Sequence, residues 1–294
     1  MQNILENTNL EKVCEIYAKI ECTNPTGSIK DRFIFHWFDD MERDGRIKIG
    51  DTIIEASSGN TGISLAYFGR KLGYKVKVIM PENMSVERKK LIRKPGAELI
   101  ECKAGDFKLA AMIRDEEIKR FGYKSPLQFS NPLNVETHYL TTAKEIVYQF
   151  EEINPGRSID VFVAGVGTGG TLIGVAKRLK EMYPNVRIIA VEPEESAVMS
   201  GKLRGKHSIQ GIGDGFIPDI VRGNKNGLNE LIDEVATVHS DAAIETAREL
   251  AKKGYGVGIS SGANFAVAQR YLRRGNNVVT IFPDDAKKYK TLGL

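Results

Sequence analysis

Short runs of aliphatic and β-branched residues alternate along the chain with longer segments whose apolar positions recur at helical spacing. Thr52 to Ala56, Lys75 to Met80, Glu98 to Cys102, Asp160 to Ala164, Arg187 to Val191, Glu234 to Val238 and Asn277 to Phe282 have the length and composition of buried strands. After Ile29, the residues Phe33, Ile34, Trp37, Phe38 and Met41 fall on one face of a helix, which the pattern starts near Lys30 and ends before Gly45. Strands that alternate with helices pair in parallel, because a parallel pair needs a long crossover and here that crossover is helical. The turn-rich stretch from Ser125 to Asn134 breaks this rhythm, and a second series of strands and helices follows it. The pattern predicts an α/β protein of two domains, residues 1–133 and 134–294, with the first ~20 residues able to pack on the second domain.

Composition narrows the partners more than the fold. A chain of 294 residues, 41% of them hydrophobic, buries enough apolar surface to fold unaided. Its 42 basic and 38 acidic side chains leave a formal charge of +4 spread along the sequence, with no one-sign tail for nucleic acid and no polybasic anchor for a membrane. No apolar run approaches the ~18 residues of a membrane span, and Met1 to Glu6 lack the basic and apolar regions of a signal peptide. Small-molecule partners and a cytoplasmic location are therefore expected. Cys14, Cys22 and Cys102 form no C-x-x-C pair and read as small buried residues with free thiols. His36, His138, His207 and His239 have no ligand spacing, so no metal site is expected.

Three segments carry candidate chemistry. Gly165-Val-Gly167-Thr168-Gly169-Gly170-Thr171 lies between a strand and the helix predicted over Leu172 to Lys180. Glycines let the backbone approach an anion closely, the free N–H groups of a helix start point at it, and the Thr168 and Thr171 hydroxyls can add donors. Gly165, Gly167 and Gly170 also satisfy G-x-G-x-x-G, with Glu192 at the end of the next strand, where a ribose ligand would stand. Alone, the loop fits a dinucleotide, another phosphate, or a tight turn with no ligand. A second loop, Ser57-Ser58-Gly59-Asn60-Thr61-Gly62, offers hydroxyls and N–H groups suited to a carboxylate, or else a simple helix cap. The third segment, Asn24-Pro25-Thr26-Gly27-Ser28-Ile29-Lys30, delivers a lysine to the first turn of an apolar helix. There the helix dipole and partial burial favour the neutral amine that attacks an aldehyde.

Together with Met80 to Arg88, Gln128 to Pro132, Val191 to Pro193, Ile209 to Pro218 and Gly258 to Ala263, these segments make the chain resemble a known family over Ile16 to Tyr289. It is the cysteine synthase (O-acetylserine sulfhydrylase) branch of the fold-type II pyridoxal phosphate enzymes. The resemblance implies two three-layer α/β domains of the tryptophan synthase β type, with pyridoxal 5'-phosphate in the cleft between them. It assigns Lys30 to the Schiff base and to proton transfer at Cα, Asn60 to the ring oxygen, and Gly167, Thr168, Gly169, Gly170 and Thr171 to the phosphate. Ser57, Ser58, Gly59, Thr61 and Gln128 would bind the substrate carboxylate, and Gly213 would line the mouth of the substrate site. Ser260 would face the pyridine nitrogen, where a hydroxyl keeps the ring neutral and favours loss of a Cβ leaving group.

The implied reaction is β-replacement of O-acetylserine by sulfide, giving cysteine and acetate in a homodimer, with serine acetyltransferase as a further partner. Related alternatives are homocysteine as nucleophile, the cystathionine β-synthase reaction, and O-phosphoserine as donor. An NAD-dependent dehydrogenase is the alternative of another class. Four departures stand out: Glu6 to Leu10 in place of G-N-T-P-L, Ser57 in place of threonine, Asp214 between Gly213 and Gly215 in place of alanine, and Asp285 in place of serine. A carboxylate at Asp214 would repel a doubly charged donor such as O-phosphoserine.

Overall fold

A computed structural model describes residues 8–223, 227–273 and 275–289; Glu6 and Asn7 of the first departure lie outside them. The chain first forms a hairpin of β1 (Leu10–Val13) and β2 (Ile16–Ile20), whose two-residue connection puts Cys14 at φ 55. Positive φ is what such a tight connection demands of the backbone.

Residues Lys30–Gln128 form one compact unit. It contains α1 (Lys30–Arg43), β3 (Thr52–Ala56), α2 (Asn60–Leu72), β4 (Lys75–Pro81), α3 (Val86–Arg93), β5 (Glu98–Cys102) and α4 (Phe107–Phe121). The strands lie in the order β3-β4-β5, all parallel, with Thr52 opposite Lys75 and Lys77 opposite Glu98. α1 buries Phe33, Ile34, Trp37, Phe38 and Met41, the face that the apolar spacing defines. Ile54, Ala56, Ile79, Cys102 and Ala110 form a core between the sheet and α4.

The second unit joins residues up to Ile29 to Phe129 and beyond. Its later elements are α5 (Pro132–Leu140), α6 (Thr142–Ile153), β6 (Val161–Gly165), α7 (Gly170–Met182), β7 (Arg187–Pro193), β8 (Glu234–Val238), α8 (Ser240–Lys252), α9 (Ile259–Gln269) and β9 (Val278–Phe282). The six strands run in the order β1-β2-β9-β6-β7-β8, and every pairing except β1-β2 is parallel. Val161 and Val163 enter one apolar cluster while Phe162 and Ala164 enter another, so this sheet is covered on both faces.

The expected strands and helices are present, with ends shifted by one or two residues. The chain crosses between units at Ile29/Lys30 and again at Gln128/Phe129, so the start of the chain groups with the second half, and the later crossing falls at 128/129 where the sequence put the boundary at 133/134. The reason is strand pairing. Ile16 to Ile20 lie in register with Val278 to Phe282, which ties the start of the chain to its end. Among the described residues no helix is long and apolar enough to cross a membrane.

Candidate active site

Lys30 is the half-buried first residue of α1, and the turn before it is held on both sides. Gly27, at φ +72, donates to the Asn24 carbonyl at 2.7 Å, while Ile29 N donates to the Pro283 carbonyl at 2.8 Å. The Gly27 carbonyl accepts from the buried Lys288 Nζ at 2.7 Å and from Asp285 N at 3.2 Å. Asp285, the residue that replaces serine, is therefore part of the mount under this turn. Burial raises its carboxyl above the usual carboxylate range, and the Lys288 ammonium pulls it back only partly.

In the same unit as Lys30, the loop after β3 is organised by its own side chains. Ser57 Oγ accepts from Gly59 N at 3.2 Å and Gly62 N at 2.9 Å, so a buried hydroxyl two residues before the helix cap does the work expected of a cap. Gly59 itself is the N-cap and offers no side chain. Ser57 thus uses its lone pairs within the loop. Arg88 Nη1 donates to the Ser58 carbonyl at 3.1 Å, and a Cβ at Gly59 would press into the Arg88 side chain. Thr61 Oγ1 donates to Gln128 Oε1 at 2.5 Å, and Gln128 Nε2 donates to the Ala56 carbonyl at 3.1 Å. Two residues far apart in sequence and assigned to one carboxylate therefore meet, both buried. Asn60 is the first residue of α2, half-buried, beside this pair.

In the other unit, Gly165 to Thr171 runs from the end of β6 into α7. Gly169, at φ +88, is the N-cap of α7 and supplies no side-chain cap; beyond Gly170 N, which donates to Thr168 Oγ1, the first turn of the helix presents N–H donors of the kind an anion requires. The loop is also too tight for side chains. A Cβ at Gly167 would strike the Gly211 carbonyl, at Gly169 the Val221 side chain, and at Gly170 the Asn134 amide. Thr168 Oγ1 accepts from Asn134 Nδ2 at 3.0 Å and from Gly170 N at 3.4 Å. Thr171 Oγ1 lies 3.2 Å from Nε2 of the buried His138, whose Nδ1 is 2.8 Å from Thr142 Oγ1. Gly213, at φ +69, donates to the Val166 carbonyl at 3.0 Å, which fastens the glycine-rich segment to this loop. Asp214 beside it is half-buried. Ser260, buried, is the second residue of α9, whose N-cap is Gly258.

Glu192 accepts from Met199 N at 2.8 Å and from Ser200 N and Oγ at 2.9 and 2.6 Å. Its carboxylate serves the local turn. Among the described residues no group of three or more His, Cys, Asp or Glu side chains could hold a metal. Cys102 is buried and Cys22 half-buried, but Cys14 is exposed, which corrects the expectation of three buried thiols. A cysteine at a hairpin tip has no core to enter.

Sequence reading missed the supports of these loops. Asn134 and His138 behind the glycine loop, and Glu55 and Arg114 behind Gln128, lie in ordinary helix and strand patterns that carry no motif. Polar residues at core-facing positions of those patterns were the available signal.

The residues present fit pyridoxal phosphate: a side-chain-free helix start for a phosphate, a half-buried lysine on a braced turn, and a buried hydroxyl at the start of α9. Residues 3–284 match the family model described as pyridoxal-phosphate dependent enzyme. The chain is 45% identical over 290 residues to cysteine synthase of Staphylococcus aureus, covering 97% of this chain and 90% of that protein. Its fold is similar to the cysteine synthase structure from Entamoeba histolytica, with a TM-score of 0.85 and 39% identity over 99% of this chain and 86% of that one. It is equally similar to the O-acetylserine dependent cystathionine β-synthase of Helicobacter pylori, with a TM-score of 0.85 and 38% identity over 99% and 92% of the two chains. With the family model and a near full-length relative in agreement, the chain belongs to the family of pyridoxal-phosphate dependent enzymes.

Proposed function

We infer that the chain is a cysteine synthase that replaces the acetate of O-acetylserine with sulfide. The near full-length likeness to a bacterial cysteine synthase carries this reading, and a lysine at the start of α1 supports it. When bound, pyridoxal phosphate supplies the electron sink that lets a Cα–H bond break and a Cβ substituent leave. Lys30 Nζ would hold the aldehyde carbon and, once the substrate amine has displaced it, would move a proton from and back to Cα. The Gly167–Thr171 N–H groups would hold the phosphate, Asn60 would orient the ring at its oxygen, and Ser260 would meet the ring nitrogen with a neutral hydroxyl rather than a charge. Ser57, Ser58, Gly59, Thr61 and Gln128 hold the substrate carboxylate. The Thr61 hydroxyl, which donates to Gln128 Oε1, would turn to donate to that carboxylate when substrate enters.

A carboxylate at Asp214 beside the leaving group would favour the acetylated donor: two unit charges ~6 Å apart at an effective dielectric of ~20 repel by about 3 kcal/mol before screening, a burden that O-phosphoserine would carry and O-acetylserine would not. Homocysteine as nucleophile is a second reading, favoured by the likeness to the Helicobacter pylori enzyme. A homodimer, a cytoplasmic location and serine acetyltransferase as a partner go with the first reading.

The test is a panel of O-acetylserine, O-phosphoserine and serine against sulfide and homocysteine, with products identified by mass spectrometry. Cysteine from O-acetylserine and sulfide should dominate, and borohydride should fix the cofactor on the Lys30 peptide. Cystathionine as main product, or label on another lysine, would overturn the assignment.

A further inference from the structure

Glu55 is the one acidic residue of β3, and its side chain is wholly buried. Arg114 of α4, 12% exposed, donates from Nη1 to Glu55 Oε1 at 3.1 Å. Burial raises the Glu55 carboxyl above the usual range, and the Arg114 guanidinium opposes that rise. A buried ion pair is seldom a better stabiliser than apolar side chains of the same volume, because both charges lose their water. Its retention at this place therefore calls for a geometric reason.

The reason lies in the other bonds of the carboxylate. Glu55 Oε2 accepts from Gln128 N at 3.2 Å, and Oε1 accepts from its neighbour Ala56 N at 2.9 Å. One carboxylate thus ties the end of β3, from which the Ser57–Gly62 loop departs, to the residue that closes the same cradle. The segment leading to Gln128 departs from the sheet just before it. Ile54 N donates to the Lys124 carbonyl at 2.9 Å, but the next stretch leaves the sheet, and Leu127 adopts φ 50, a left-handed conformation rare for a residue with a branched side chain. A strained residue directly before Gln128 persists only if the next N–H is held firmly.

We propose that the buried Glu55–Arg114 pair is the positioning device of the substrate carboxylate cradle, setting where Gln128 presents its amide to Thr61 and to the incoming amino acid. The proposal rests on the reading that residues 57–61 and Gln128 bind that carboxylate. Neither Glu55 nor Arg114 touches substrate in it; each acts through Gln128.

The test uses Arg114→Met, Arg114→Lys and Glu55→Gln in the cofactor-loaded enzyme, with Gln128→Ala beside them. Loss of a charge-assisted hydrogen bond to a positioned group should raise the KM for O-acetylserine about tenfold or more in Arg114→Met and Glu55→Gln. The KM for sulfide should stay unchanged. Hydrogen exchange at the Gln128 amide should accelerate by a similar factor, and Arg114→Lys should recover most of both losses. A purely structural role would lower thermal stability without this split between the two substrates. If Gln128→Ala raises the donor KM while Arg114→Met and Glu55→Gln change neither it nor the exchange rate, the proposal falls and the cradle stands. If Gln128→Ala itself leaves the donor KM unaltered, the cradle reading falls. Should Arg114→Met fail to fold, Glu55→Gln and Arg114→Lys decide by the same two measurements.

Discussion

Cys14 and Cys22 differ in what surrounds the sulfur. Cys14 is exposed at the tip of the β1-β2 hairpin, 2.9 Å from Lys253 Nζ. Cys22 is half-buried, and burial, followed by the nearby Asp285 and Asp284 carboxylates, pushes its thiol up to about 11. Only the thiolate is alkylated, so the two should separate cleanly. Iodoacetamide at about pH 8 should label Cys14 well before Cys22, and Cys22 labelling should climb only as the pH approaches the raised value. Peptide mapping across a pH series checks this. Equal labelling of both thiols at neutral pH would show that the carboxylates beside Cys22 do not hold its proton.

At the scale of the element, the start of α7 is tightly constrained. Gly169 combines φ +88 with a Cβ position that meets Val221, and Ile220 lies 3.3 Å from the same point. Gly169→Ala should destabilise the apoprotein by about 1–3 kcal/mol through backbone strain and the displaced side chain, measured by urea unfolding. It should also weaken cofactor binding, since the first N–H groups of α7 would turn away from the phosphate. Gly45→Ala is the matched control: its φ is +65, but nothing lies within 4 Å of the added carbon. It should cost about 1 kcal/mol and leave cofactor affinity intact. Equal effects of the two substitutions would mean that Gly169 is only a turn residue.

At the scale of the molecule, the beginning of the chain completes a sheet built mostly from its second half. β9 lies between β2 and β6, and Ile16, Ala18 and Ile20 enter the same apolar cluster as Val161, Val163 and Phe282. A fragment of residues 129–294 should therefore expose the β9 edge together with apolar side chains, and an open edge of that kind invites pairing with other chains. Size-exclusion chromatography should find it aggregated or much less stable than the intact protein. A monomeric fragment that unfolds cooperatively at the temperature of the whole protein would show the β2 pairing to be dispensable.

How much of this was legible in the residues depends on the range of the interaction. The strands, the face of α1 and the two glycine- or serine-rich helix starts are local patterns, set by hydrophobic period and by backbone freedom within a few residues, and they appear where the pattern puts them. Lys30 at the first turn of α1 and the glycines before α7 were legible for the same reason. The pairing of Ile16–Ile20 with β9 was not, because strand partners are chosen by burial across the whole chain and leave no local mark. Nor was the second use of each polar side chain. Ser57 read as a ligand for an anion but also braces its own loop, Thr61 is bonded to Gln128, and Glu192, a ribose ligand only on the dinucleotide alternative, has its carboxylate engaged in a turn. The residue types and their spacing determined which chemistry the chain can carry. Only the tertiary structure decided which donors and acceptors are already satisfied, because a hydrogen bond between residues 67 positions apart is a property of packing rather than of sequence.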